Sequence, residues 1–480
     1  MRSNARMKSV LMLATMVCLF SAARADNAQP TSAPTSSPAS VPAASPARIA
    51  SLIEQLGHDS AAQRERASKE LAAIGGPAMK ALRQAAQHDD REIAARAEDL
   101  LEAIPRSCLL WTAWLPSWTG AFALTDDLAI ATGGDGKIRA FSRTDGQPKW
   151  EAKIDSEYPW LHVVNGSLVC QFIGKTGSLI GLNLATGEPL WRNEPHGGLF
   201  VVMPNGIFYS SRDTRLADDI QLSGLSPQDG TTTWTIDVVE FFDLEDPRER
   251  WDRWHTERVC LLSVMRRTGQ TILVKVDPAT GEKVWQITWS GAGSHTVDED
   301  GGRLYAVTYD APTRKRVFTM HDLKTGKAMD SALSAREWPD DVINLFVADG
   351  RLLCRTPTSL TAYDIAGGKR LWDYTPDNIE RTDRLPFNVG DVSVHDGMAM
   401  FLVPDGLLAL DLETGKPAWK FSVSRHHKHF MGRLTVRDGI AYFQTAEGPR
   451  DDKGMQRSRL YALDIAKAKH LGLPDEEAGE

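Results

Sequence analysis

No two of the five cysteines are adjacent, and Cys-x-x-Cys-His occurs nowhere in the 480 residues. A Gly-x-Ser-x-Gly elbow, a His-Glu-x-x-His pair and a phosphate-binding loop are also missing, so serine-hydrolase, zincin and nucleotide-hydrolysing chemistries have no foothold. Gly133-Gly134-Asp135-Gly136 crowds glycines together, but it lies between short β runs and reads as a hairpin, not a phosphate cradle. Long apolar runs are scarce: the stretch from Val10 to Phe20 is too short to span a bilayer comfortably. Positive charge is also in deficit, with 55 Lys and Arg against 63 Asp and Glu. That balance gives no support to nucleic-acid binding.

Arg2, Arg6 and Lys8 precede the apolar run, and Ala23-Arg24-Ala25 follows it, which is the pattern of a secretory signal peptide over residues 1–25. Its removal takes away four basic residues and leaves 51 Lys and Arg against 63 acidic residues, a net charge of −12. Cys18 follows Thr-Met-Val, whereas lipid attachment favours a small residue directly before the cysteine. The protein is therefore expected to be periplasmic or secreted, with no membrane helix after cleavage. Residues 26–47, rich in Pro, Ala, Ser and Thr, bury too little to offset the entropy of ordering and read as a linker.

From 48 to 106 the composition turns to Ala, Leu, Arg and Glu at helical spacing. Four apolar stripes follow one another: Ile49, Leu52, Ile53 and Leu56; Ala67, Leu71 and Ile74; Met79, Leu82 and Ala86; Ile93, Ala97, Leu100, Leu101 and Ile104. Gly75 and Pro77 form a stop and start, and Asp89-Asp90 opens the last helix. Two helix pairs of this size resemble HEAT-type repeats. Such a module either caps one end of the following domain or offers a groove to a protein, and the cap is the favoured reading.

The rest of the chain is organised by Leu408-Ala409-Leu410-Asp411-Leu412-Glu413-Thr414-Gly415-Lys416-Pro417-Ala418-Trp419. Versions of it place glycine at 146, 187, 230, 281, 326, 368 and 415, with tryptophan four residues later at Trp150, Trp191, Trp234, Trp285, Trp372 and Trp419. Position 330 carries Asp instead, and an eighth copy, Leu460 to Ile465, lacks both residues. Each copy reads as strand, turn and strand, with the glycine free to take φ > 0. Upstream of most copies lies an Asx-Gly hairpin: Asn165-Gly166, Asn205-Gly206, Asp300-Gly301, Asp349-Gly350, Asp396-Gly397 or Asp438-Gly439. Four strands at intervals of about 45 residues make a propeller blade.

The repeat resembles the PQQ-like, or quinoprotein-type, β-propeller repeat of quinoprotein dehydrogenases and of the BamB outer-membrane assembly family. The resemblance covers residues 108–472 and implies an all-β propeller of eight four-stranded blades, or seven if the weakest copy is not a blade. Gly187, Gly281, Gly415 and the repeated tryptophans are then scaffold residues between blades. The last blade is one strand short, and Leu109 to Leu115 is expected to supply it, with Trp111 or Trp114 standing in for the missing tryptophan. Residues 473–480 form an acidic tail.

Cys108, Cys170, Cys260 and Cys354 remain after signal cleavage and allow two bridges in three connectivities. A propeller holds these positions apart, and a disulfide needs Cα atoms within about 7 Å, so four buried free thiols are expected.

Two departures from the minimal blade are candidate sites. The longest contains Phe241, Phe242, Arg248, Arg250, Trp251, Arg253 and Trp254, whose aromatics either pack an excursion onto the propeller or, with the arginines, face a partner. The second is Arg425 to Phe430, where His426, His427 and His429 have a spacing compatible with Zn²⁺ or Ni²⁺ although no nearby carboxylate or thiol completes a site. The resemblance to quinoprotein dehydrogenases would imply PQQ held with Ca²⁺, a catalytic Asp and, in several members, adjacent cysteines over the cofactor. Lacking the last of these, and with little room per blade for pocket loops, the chain gives no catalytic residue. It reads as a non-catalytic exported scaffold, expected to be monomeric and to bind a protein or peptide in the cell envelope. A PQQ-dependent oxidoreductase and a carbohydrate-binding propeller are the alternatives.

Overall fold

The computed structural model describes residues 45–117, 121–154, 159–172, 178–193, 199–203, 206–212, 220–243, 250–253, 259–266, 268–375, 392–403, 406–422, 433–450 and 456–473. The signal peptide and most of the linker and of the acidic tail lie outside them.

Asp411 shows why the repeated turn forms. Its carboxylate accepts from Thr414 N at 2.7 Å and Thr414 Oγ1 at 2.8 Å, and Gly415 follows at φ 72°. Asp322 holds Thr325 in the same way, at 2.7 and 2.6 Å. These side chains close the turn and deliver the next strand antiparallel to the last.

Eight four-stranded antiparallel sheets result. Blades 1 to 7 run in chain order, from Phe122–Leu124 at the inner edge of blade 1 to Pro417–Ser422 at the outer edge of blade 7. Most of the Asx-Gly hairpins adopt the expected geometry, for instance Asn165 and Gly166 at φ 44° and 81°. Blade 5 differs: its bend is a four-residue loop between Asp298 and Arg303, with Gly302, not Asp300 or Gly301, at positive φ.

Blade 8 combines Leu434–Arg437, Ile440–Arg450 and Gln456–Asp464 with an outer strand from the start of the propeller, β1 (Leu109–Leu115). Trp111 pairs with Ala462 and Leu115 with Ser458. The expected clasp is thus present, and Trp111, not Trp114, takes the place of the missing tryptophan. Ion pairs of Arg143 with Asp438 and of Arg437 with Asp126 brace the same junction.

Four helices precede β1: α1 (Pro46–Gln55), α2 (Ala61–Ile74), α3 (Met79–Ala85) and α4 (Arg91–Ser107). Gly75 at φ 68° stops α2, and Asp90 caps α4 by accepting from Glu92 N at 2.8 Å. Leu52, Leu56, Ala67, Leu71, Leu82, Ala97 and Ile104 are buried together, as their spacing predicted. The same core runs without a break into Met400, Trp419, Phe421 and Leu463 of blades 7 and 8. A short helix, α5 (Val238–Phe242), follows blade 3, and the shared core is completed at the chain end by α6 (Ile465–Ala468) and the 3-10 turn Lys469–Leu471, which occupy the place where an eighth Asp-x-x-Thr-Gly turn would stand. Gly76 abuts this turn so closely that a Cβ would lie 0.8 Å from His470 O. The helical module is therefore packed onto the propeller. No helix among the described residues is long and apolar enough to cross a membrane.

Candidate functional site

Between neighbouring blades one arrangement recurs. The indole Nε1 of Trp111, Trp150, Trp191, Trp234, Trp285 and Trp372 donates to Arg143 O, Leu184 O, Pro227 O, Pro278 O, Leu323 O and Leu412 O in the next blade, at 2.8–3.1 Å. Each acceptor lies three residues before the turn glycine, and the ring covers that glycine. A Cβ would come within 2.5 Å of Trp150 at Gly187, 2.6 Å of Trp234 at Gly281 and 2.5 Å of Trp372 at Gly415. The repeated Gly and Trp are taken up by this packing, and the Asp and Thr hydrogen-bond within the turn. Trp419 has no glycine turn ahead of it and packs instead in the core that α6 shares with the helical module.

Blade 5 shows what replaces the missing tryptophan at 330. Its outer strand is two residues, Ala328–Met329, after which a 3-10 turn, Ala332–Ala335, wedges toward blade 6. Ala332 rests on Gly368, Arg336 Nε donates to Gly368 O, and Trp338 stacks on Phe318 with ring centroids 5.3 Å apart. Trp338 also meets Tyr363 at 4.7 Å, so an indole still fills this seam, displaced by eight residues in sequence.

The aromatic excursion divides. Phe242, on α5, is fully buried among Leu222, Cys260, Leu262 and Ile272 in the seam of blades 3 and 4. Packing is thus its role. Phe241 is half-buried, meets Phe242 edge-on at 5.1 Å and carries the Lys283 ammonium 5.0 Å above its ring. Arg250–Arg253 is the innermost strand of blade 4, with Trp251 opposite Val264 and Arg253 opposite Leu262, where the sequence had suggested an excursion. Arg248, Trp254, His426, His427 and His429 lie outside the described residues.

All four thiols are buried and unpaired, as expected. Burial pushes Cys108 up to about 11 and Cys354 to about 12, and raises Cys170 and Cys260 strongly as well. None of them is poised as a thiolate. Among the described residues no group of three or more His, Cys, Asp or Glu is placed to hold a metal ion.

What the described surface does offer is its rim. The six exposed large apolar side chains, Leu110, Trp114, Leu190, Val284, Met329 and Leu371, all stand on outer strands. Alternation along a strand explains four of them: Leu110, Leu190, Val284 and Leu371 immediately precede the seam residues Trp111, Trp191, Trp285 and Trp372, so turning the indole inward turns the aliphatic residue out. These belong to blades 8, 2, 4 and 6, whereas Lys149, Thr233 and Ala418 hold the position in blades 1, 3 and 7. Trp114, 53% exposed, has the Arg459 guanidinium 3.9 Å over its ring. Each outer strand also ends its sheet, leaving one edge without a strand partner among the described residues. An aliphatic contact beside an open backbone edge suits an extended chain. Sequence reasoning missed this surface, although the apolar residue before each alternate tryptophan was its signal.

No curated protein matches the chain. Among solved structures, BamB from Moraxella catarrhalis aligns with a TM-score of 0.49 and 16% identity over 74% of this chain and 96% of that one. The computationally designed Ika8 protein aligns with a TM-score of 0.47 and 12% identity over 73% and 98%, and Saccharomyces cerevisiae Sqt1 with 0.48 and 10% over 73% and 97%. Residues 103–241 and 357–471, more than half of the chain, match the family described as outer membrane protein assembly factor BamB, and the chain belongs to that family.

Proposed function

We propose that the protein is a non-catalytic propeller scaffold, periplasmic or secreted, that binds a protein or peptide partner in the cell envelope. Family membership sets the class. The observation that carries the binding role is the confinement of the exposed large apolar side chains to the open outer strands. On this reading an extended partner segment lies along the rim of blades 2, 4 and 6, pairs with a backbone edge and contacts Leu190, Val284 or Leu371. The helical module, read as HEAT-like, serves as a cap fixed to blades 7 and 8. Phe241, Arg248, Trp251, Arg253 and Trp254 would add an aromatic and basic contact to the partner. Neither PQQ with Ca²⁺ nor a metal at the His426 to His429 cluster enters this reading.

A photo-cross-linker placed singly at 190, 284 and 371 in the exported protein tests it, with position 149 as the surface control. Capture of the same envelope protein from at least two of the three apolar positions, and not from the control, is the expected result. Capture no greater than at position 149 would remove the rim as a binding surface.

A further inference from the structure

Four shielded polar atoms face the seam between blades 4 and 5. Trp289 ends the outer strand of blade 4, and Thr271 lies directly opposite it on the neighbouring strand, so both side chains face blade 5. Thr319 and His321, two residues apart on the third strand of blade 5, face back toward them: they lie opposite Ala306 and Leu304, which pack in the core shared with Trp289. The Trp289 and His321 rings stand edge to face with centroids 6.3 Å apart. Trp289 Nε1, Thr271 Oγ1, Thr319 Oγ1 and His321 Nε2 are all shut off from solvent without a protein hydrogen-bond partner.

The chemistry of the group is defined. His321 Nδ1 lies 3.1 Å from Gly326 O, which can only accept. Nδ1 therefore carries the proton, and Nε2 turns its lone pair into the seam. The indole is a fixed donor, the imidazole a fixed acceptor, and the two hydroxyls serve as either. None of the four is charged, which argues against an ion. Folded proteins leave few buried polar groups unpaired, and sites with several such groups hold water. At six seams the tryptophan that follows the turn glycine needs none, because its indole reaches a carbonyl directly, whereas Trp338 and Trp419, like Trp289, bury an indole N–H without a protein acceptor.

We propose that this seam is a binding site for one internal water molecule, which accepts from Trp289 Nε1 and donates to His321 Nε2. A crystal structure of the exported protein that resolves waters should show one within hydrogen-bond reach, about 2.7–3.2 Å, of both atoms. A dry seam, or a direct protein bond to either atom, overturns the proposal. In solution, water-selective NMR should give a cross-peak between a long-lived water and the Trp289 indole proton, and none at the Trp285 indole, which already bonds Leu323 O at 2.9 Å. His321→Phe should abolish the Trp289 cross-peak. Its persistence in a folded variant would sink the two-ended bridge, and if that variant does not fold, the wild-type measurements decide alone.

Discussion

Trp150 and Gly187 are locked together across the seam of blades 1 and 2: the indole donates to Leu184 O at 3.0 Å while its ring lies where a Cβ on Gly187 would stand, 2.5 Å away. Gly187 also sits at φ 74°. Gly187→Ala thus combines left-handed strain with forced separation of the ring, and should cost about 2–4 kcal/mol. Gly166→Ala is the control, since φ is 81° there but nothing lies within 4 Å. It should cost only about 1 kcal/mol. Equal shifts in the urea midpoint of the two variants would mean that the ring contact contributes nothing.

The clasp gives a second contrast within one strand. Trp111 is buried against Gly146 and Tyr442, whereas Trp114 is exposed. Trp111→Ala should lower stability by about 3–5 kcal/mol, as for other buried aromatic truncations. Trp114→Ala loses little more than the Arg459 contact and should cost less than about 1 kcal/mol. Deleting residues 108–115 should lower the melting temperature sharply; an unchanged value would show that the ring does not depend on β1.

These contrasts mark how far the sequence could be read. The turn glycines and tryptophans share a fixed spacing because each seam uses the same two groups, so blade number and clasp were legible. The fifth copy was not, because Trp338 reaches its seam through a 3-10 turn of no repeating register. Arg250–Arg253 was misread for a related reason: an inner strand of four residues with charged ends lacks an apolar alternation. The rim residues were visible individually, but which face of a strand meets water depends on where its tryptophan packs.

Continuity of the helical module with blades 7 and 8 predicts shared unfolding. Gly76 tolerates no side chain, because His470 O occupies the site of its Cβ and a backbone cannot rotate away. Gly76→Val should therefore undock α3 and the Lys469–Leu471 turn, at a cost of roughly 3 kcal/mol or more. Limited proteolysis should then cut between α2 and α4 while the propeller resists. Unaltered protease resistance of the module would refute the tight docking.

Acid should weaken the seam of blades 4 and 5 before it acts on the carboxylates. Burial pushes His295, which packs against Trp289 at 6.0 Å, down to about 4 from its ordinary 6.5, and His321 is lowered for the same reason. A base that must stay neutral to remain folded stabilises the native state fully above the unfolded value of 6.5 and loses that contribution as pH falls toward 4. For His295 the loss approaches about 3 kcal/mol at the acid end. Asp322 and Asp411 are also lowered, by hydrogen bonds from Thr325 and Thr414, but from a starting value of 3.8, so their contribution disappears only as pH falls below that. The two effects therefore separate on the pH axis. Urea midpoints measured from pH 7 to pH 4 should decline in the wild type, and His295→Phe should flatten the decline while leaving the steeper loss below pH 4 in place. A wild-type midpoint that is flat down to pH 4 would mean that His295 titrates alike in the folded and unfolded chain, as in a seam open to water.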